Sequence, residues 1–266
     1  MREFIDQLAD VWSATVQLGR DLGPQDWAAP TECPGWTVQD HVAHVVGTES
    51  FLLGRPAPPP ADGGAHVRNA LGEINEAWVA PRRAPPGRAV LAELEEVTAA
   101  RLAALRVMTD EELQAPTPSP LGQVPYEQFM SLRVMDCWVH EQDIRQALGL
   151  AWRLHGPAAP AAIDRLTQAL GYVVGKKVAP PDGTVLVVAV DGPVARRLAL
   201  TVRHGRGGPA PSGATADATV TVTDEVYVRL AAGRLPPARA LADGLVAVTG
   251  DRALGEALVT ALPHVP

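Results

Sequence analysis

Residues 126–149 read Tyr-Glu-Gln-Phe-Met-Ser-Leu-Arg-Val-Met-Asp-Cys-Trp-Val-His-Glu-Gln-Asp-Ile-Arg-Gln-Ala-Leu-Gly. No proline interrupts the run, Gly149 stands in the C-cap position, and the spacing predicts an amphipathic helix over 126–148. At ~100° per residue, Met130, Val134, Cys137, Ile144 and Leu148 form its apolar face. Asp136, His140, Asp143 and Ala147 fill a narrow stripe beside that face. A carboxylate and an imidazole four residues apart can converge on one cation, a common way for bundles to supply ligands, and can equally be an ordinary helix-surface pair. Asp143 can accept a hydrogen bond from the other ring nitrogen of an imidazole or simply face water.

Upstream, Thr37 is placed to N-cap a helix over 38–53, with Asp40 completing a shorter version of the capping box. That helix carries Asp40-His41-x-x-His44, and wheel arithmetic sets His41, not His44, nearer the apolar face of Val38, Val42, Val45 and Leu52. Each histidine also fits a core edge, hydrogen-bonded to a neighbouring carbonyl or acid. Apolar residues at three- and four-residue intervals predict further helices over 3–22, closed by Gly23-Pro24, and over 67–79 and 89–105. Thr109 and Glu112 form a second capping-box pair. Prolines and glycines make 54–65 a surface loop that can overhang a site, and Pro116, Pro118, Pro120 and Pro125 predict an irregular connection. Four principal helices argue for a bundle over residues 1–152.

After Trp152 the pattern changes. Residues 156–160 read as a linker, followed by a helix over 161–178 and β-branched runs at 185–190, 194–202, 218–223 and 245–249. The first two runs flank Asp191-Gly192 and read as a hairpin. Helices are expected from Thr223-Asp224 to Gly233 and from Asp251 to Leu262. Residues 161–266 are therefore expected to form a small α+β domain.

Composition narrows the function classes. With 47% hydrophobic and 20% charged residues the chain can bury a sizeable core, and a net charge of −7 disfavours nucleic acid. The longest apolar run, 185–190, is far short of the ~18 residues of a membrane span. Acidic residues near the N-terminus and two cysteines point to a cytoplasmic protein without a disulfide framework. Cys33, beside a helix N-terminus, reads as a small buried hydrophobe or a thiol of lowered pKa, and Cys137 as packing. Trp36, Trp78, Trp138 and Trp152 read as core or interface residues, or as an apolar pocket lining. His66, His155, His204 and His264 are expected to be solvated. GxGxxG, Walker, GxSxG and HExxH patterns are absent.

Two segments together carry a resemblance: Cys33-Pro34-Gly35-Trp36-Thr37-Val38-Gln39-Asp40-His41-Val42-Ala43-His44 and Arg133-Val134-Met135-Asp136-Cys137-Trp138-Val139-His140-Glu141-Gln142-Asp143-Ile144-Arg145. They resemble the mycothiol-dependent maleylpyruvate isomerase family, a branch of the DinB-like metal-binding four-helix bundles. The segment Leu245-Val246-Ala247-Val248-Thr249-Gly250-Asp251 resembles its sterol-carrier-like C-terminal domain. The resemblance implies a divalent metal, usually zinc, on His44, Asp136 and His140, which displaces the wheel preference for His41. Asp136 stands where the family pattern carries Glu, so its carboxylate is one methylene shorter. The resemblance also implies a catalytic arginine in the C-terminal domain, for which Arg234 is named here, with Arg229 and Arg252 as alternatives. In the family's chemistry mycothiol adds as a thiolate to the cis double bond of a small-molecule electrophile, and rotation and elimination follow. Retention of the thiol would make an S-transferase instead. The expected partners are mycothiol and that electrophile, in a monomer or small homo-oligomer. The alternative is a metal-containing small-molecule or lipid-binding protein without catalysis.

Overall fold

The computed structural model describes residues 2–265 and divides into two compact units at Ala161/Ala162. The first is helical, with α1 (Glu3–Arg20), α2 (Pro24–Trp27), α3 (Val38–Leu52), α4 (Ala70–Val79), α5 (Gly87–Val107), α6 (Asp110–Gln114), a hairpin of β1 (Pro116–Ser119) and β2 (Gly122–Pro125), and α7 (Tyr126–Ala147). α1, α3, α5 and α7 pack against one another around Leu8, Trp12, Val46, Leu94, Val97, Met130 and Trp138, all at most 2% exposed. Both capping boxes form: Thr37 Oγ1 accepts from Asp40 N while Asp40 Oδ2 accepts from Thr37 N, and Thr109 and Glu112 do the same.

Two elements depart from expectation here. The connection 116–125 is a hairpin, with Thr117 opposite Val124 and Gly122 at φ 89°. Its prolines lie on a short, exposed ribbon where missing N–H groups leave few ladder bonds unmade. The expected linker at 156–160 is in part helical, because α8 (Ala158–Thr167) starts at Ala158.

In the second unit a five-stranded sheet runs in the order β5 (Arg206–Pro209), β4 (Arg196–Arg203), β3 (Val185–Asp191), β6 (Ala218–Thr223), β7 (Ala247–Gly250). β3 is parallel to β6 and every other pairing is antiparallel. Central β3 is buried from Val185 to Val190, which explains its unbroken apolar run. The hairpin turn is wider than Asp191-Gly192 alone, and the buried Asp224 carboxylate closes it by accepting from Val194 N at 3.2 Å. Helices α10 (Asp224–Ala231), α11 (Pro237–Ala242) and α12 (Arg252–Ala261) follow the later strands.

The single helix expected over 161–178 is broken. α8 gives way to α9 (Leu170–Tyr172) and a π-helical turn, Val173–Val178, closed by Ala179 at φ 48°. Edge strand β5, without any apolar alternation, lies against that turn through glycine backbones. A methyl group on Gly207 would collide with the carbonyl oxygen of Gly171 and the amide nitrogen of Gly175. Gly207→Ala is therefore expected to destabilise the second unit by about 1–3 kcal/mol. Thermal unfolding measures this: a Tm lowered by ~4 °C or more fits the close approach, and an unchanged Tm contradicts it.

Candidate metal centre

α3 and α7 are buried nearly all round, so each projects polar side chains into the bundle. His44 Nε2 stands 3.2 Å from Asp136 Oδ2, and His140 Nε2 stands 3.6 Å from Asp136 Oδ1. One potential ligand atom from each of the three lies within 4.8 Å of the other two. Ligand atoms about 2.0–2.1 Å from a tetrahedral cation lie roughly 3.3 Å apart. Two imidazoles and a carboxylate grouped in this way are a donor set that could hold a divalent cation.

His41 is not in that trio. It is fully buried, against 5% exposure for His44, so periodicity had no means of separating the two. His41 Nδ1 lies 2.9 Å from His140 Nδ1, which is also 3.1 Å from Asp143 Oδ2. With the His140 proton on Nδ1, that N–H donates to Asp143 and leaves the Nε2 lone pair facing Asp136. His41 Nδ1 shares that same N–H as a second acceptor, and its own Nε2–H donates to Thr31 Oγ1 at 2.9 Å. Thr31 Oγ1 in turn donates to the Trp36 carbonyl at 3.0 Å, tying this chain to the Cys33–Trp36 turn. His41, Asp143 and His140 form a second group with potential ligand atoms within 4.8 Å.

Half-buried Trp36 covers the imidazoles, its ring centroid 5.4 Å from His41, 5.2 Å from His44 and 5.8 Å from His140. Trp36 thus sets an apolar face against the three imidazoles. Trp78 and Trp138 are core residues. Gly35, at φ 80°, lets the turn lie against His66, whose imidazole a Cβ there would strike. His66 is 3.3 Å from the buried Glu76, and His264 is also half-buried, so neither is solvated as expected. His155 and His204 are exposed.

The carboxylate is set by a residue to which sequence reasoning gave no role. Arg133, one turn before Asp136, donates from Nη1 to Asp136 Oδ2 and from Nε and Nη2 to Glu49 Oε1 at 3.0 and 2.9 Å. Glu49 Oε2 accepts from Arg101 Nε at 2.9 Å, and Arg101 Nη2 donates to the Tyr126 hydroxyl. Glu49, Arg101 and Arg133 are at most 4% exposed. Helical charges normally read as a solvated face, so spacing carried no signal for them.

Burial opposes charge throughout the site, and the charged partners decide which groups resist it. Burial lowers the His44 pKa, keeping a neutral imidazole. Asp136 is held well below the usual carboxylate range because Arg133, then His140 and His44, outweigh burial. Asp136, reinforced by Asp143, likewise overcomes burial and raises His140. Burial pushes the Cys137 thiol up to about 12, so it packs as a neutral group, whereas Cys33 is half-exposed on its turn rather than buried. Arg234 belongs to the second unit, half-buried, donating from Nη1 to the Ala232 carbonyl at 2.9 Å. Arg229 is half-buried in α10, and Arg252 is exposed and bonded to Glu256.

Fold and site define a class: a helical bundle with an interior two-histidine, one-carboxylate cluster, joined to a small α+β unit. The family model described as the mycothiol maleylpyruvate isomerase N-terminal domain matches residues 8–145, and that described as the MDMPI C-terminal domain matches residues 160–257. The chain belongs to the mycothiol maleylpyruvate isomerase family. In fold it is similar to the crystal structure of the mycothiol-dependent maleylpyruvate isomerase, with a TM-score of 0.56, 19% identity, and coverage of 88% of this chain and 89% of the other. It is also similar to a histidine-to-alanine mutant of a mycothiol-dependent maleylpyruvate isomerase, with a TM-score of 0.54, 17% identity, and coverage of 93% and 92%. No curated protein matches in sequence. Among the described residues no helix is long and apolar enough to cross a membrane.

The electrostatics are directly measurable. In the cation-free protein Asp136→Asn is expected to lower the His140 pKa, because it removes the largest influence raising it. Imidazole NMR resonances followed over pH report the change: a His140 titration that stays in place, or moves upward, contradicts the assignment.

Proposed function

We propose that this chain is an enzyme using a divalent metal, most plainly zinc, and mycothiol to catalyse thiolate addition to an electrophilic small molecule, ending in cis–trans isomerisation or S-transfer. The observation carrying the proposal is the juxtaposition of His44, Asp136 and His140 beneath Trp36 in a member of this family. Bound at those three side chains, a divalent cation would supply the positive charge that ionises a coordinated thiol near neutral pH. Three protein ligands leave a position open for that thiol, as catalytic sites do.

The chain's own groups prepare the site. Burial keeps the His44 lone pair available by disfavouring its proton. Asp136 supplies a carboxylate that stays ionised well into acid. Asp143 holds the His140 proton on Nδ1, directing Nε2 inward. Trp36 excludes water from one side and offers the electrophile an apolar face. Arg234 remains the proposed catalytic arginine, a role to be tested by Arg234→Ala.

Purified protein is expected to hold about one equivalent of divalent metal and to bind mycothiol only when loaded. His140→Ala, which removes one of three ligands, is expected to abolish both, as read by metal analysis and calorimetric titration. Metal without mycothiol affinity would favour a non-catalytic binding protein. Protein whose melting temperature and metal content ignore chelator and His140→Ala alike would overturn the proposal.

A further inference from the structure

Asp136 is the shorter acid at a position where the family resemblance implies Glu, and its setting shows what positions it. Its two oxygens differ. Oδ2 receives the Arg133 Nη1 donor and lies 3.2 Å from His44 Nε2, whereas Oδ1 lies 3.6 Å from His140 Nε2. Arg133 cannot drift, because its Nε and Nη2 are both anchored on Glu49, which Arg101 holds from the other side. The guanidinium is a rigid planar fork, so fixing two of its nitrogens on α3's carboxylate fixes where the third meets Asp136. The run Arg101, Glu49, Arg133, Asp136 alternates in charge and sums to zero. Asp136 therefore does not offer a cation an uncompensated charge.

We propose that Arg133 is a positioning residue of the metal centre: anchored on Glu49, it holds Asp136 Oδ2 so that the carboxylate reaches a cation through Oδ1 as a one-oxygen ligand. This rests on the metal reading of His44, Asp136 and His140. Its action on the centre runs through Asp136. The arrangement gives the short side chain a single orientation without a longer stem. It also leaves more of the cation's charge for an anionic fourth ligand than a bare carboxylate would.

The test is cobalt(II) binding to the full chain, followed by the visible d–d absorption and by competition with a chelator, in the wild type and in Arg133→Met, Arg133→Lys, Arg153→Met and His140→Ala. Arg133→Met should weaken cobalt binding ~10–100-fold and alter the visible band as Oδ2 is freed. Arg133→Lys, a single donor unable to bridge Glu49 and Asp136 in fixed geometry, should recover only part of the affinity. Arg153→Met is the control, since Arg153 is also buried in an ion-paired site, on Glu141 and Asp10, but touches neither Glu49 nor Asp136. It should lower the melting temperature of the cation-free protein while leaving cobalt affinity and band shape within about twofold of the wild type. Cobalt affinity unchanged in Arg133→Met, or weakened equally in Arg153→Met, overturns the proposal while the metal centre stands. Wild-type protein that binds cobalt no better than His140→Ala overturns the metal reading and this proposal with it.

Discussion

The interior of the first unit turns on one constraint: three charged side chains, Arg101, Glu49 and Arg133, are carried into a bundle core where unpaired charge is intolerable, and half-buried Asp136 ends their run. Burying ions is expensive, and removing one partner of a buried pair is commonly worth about 3–5 kcal/mol. Here each charge is answered by the next, so α5, α3 and α7 are tied in a fixed mutual register. A slip of one helix by a turn would leave Glu49 or Asp136 with no cation within reach. His44 and His140 sit on two of the same helices, so the register that satisfies the charges also sets the distances of the imidazole cluster.

Around that cluster, polar satisfaction proceeds outward in order. Asp143 and His41 orient His140, Thr31 links His41 to the Trp36 carbonyl, and the Trp36 indole returns over the imidazoles. The capping box of Thr37 and Asp40 fixes where α3 begins, and Arg83 bonds Asp40 Oδ1 from the far side of the helix. A turn built on Gly35 and the loop residue His66 completes the surround. The site therefore has its rigidity in helices and its cover in a turn.

Helix existence was readable because periodicity reports one-sided burial, and α1 and α5 carry that signal clearly. It has little to say where burial is not one-sided. α3 is enclosed: His41, which its wheel set nearer the apolar face, is fully buried beside Asp143 and Thr31, while His44 faces Asp136. Each belongs to a group able to hold a metal, so the choice of His44 rests on the family resemblance. The hairpin at 116–125 and strand β5 went unseen because their pairing is a matter of backbone hydrogen bonds in segments of proline and glycine, with no side-chain pattern to betray it. The break within 161–178 has the same origin, a glycine-to-glycine approach invisible to one segment read alone.

Local chemistry along the chain settled the two-part organisation, the caps at Thr37 and Thr109, the paired acid and imidazole on one face of α7, and the family. These depend on residues within a few turns of each other, where spacing is geometry. Tertiary structure alone decided that Arg133 and Glu49, 84 residues apart in the chain, would brace Asp136, and that Trp36 would roof the histidines. Such contacts exist only once distant helices pack, because a buried ion's partner is chosen by three-dimensional register and leaves no trace in the periodicity of either strand of sequence.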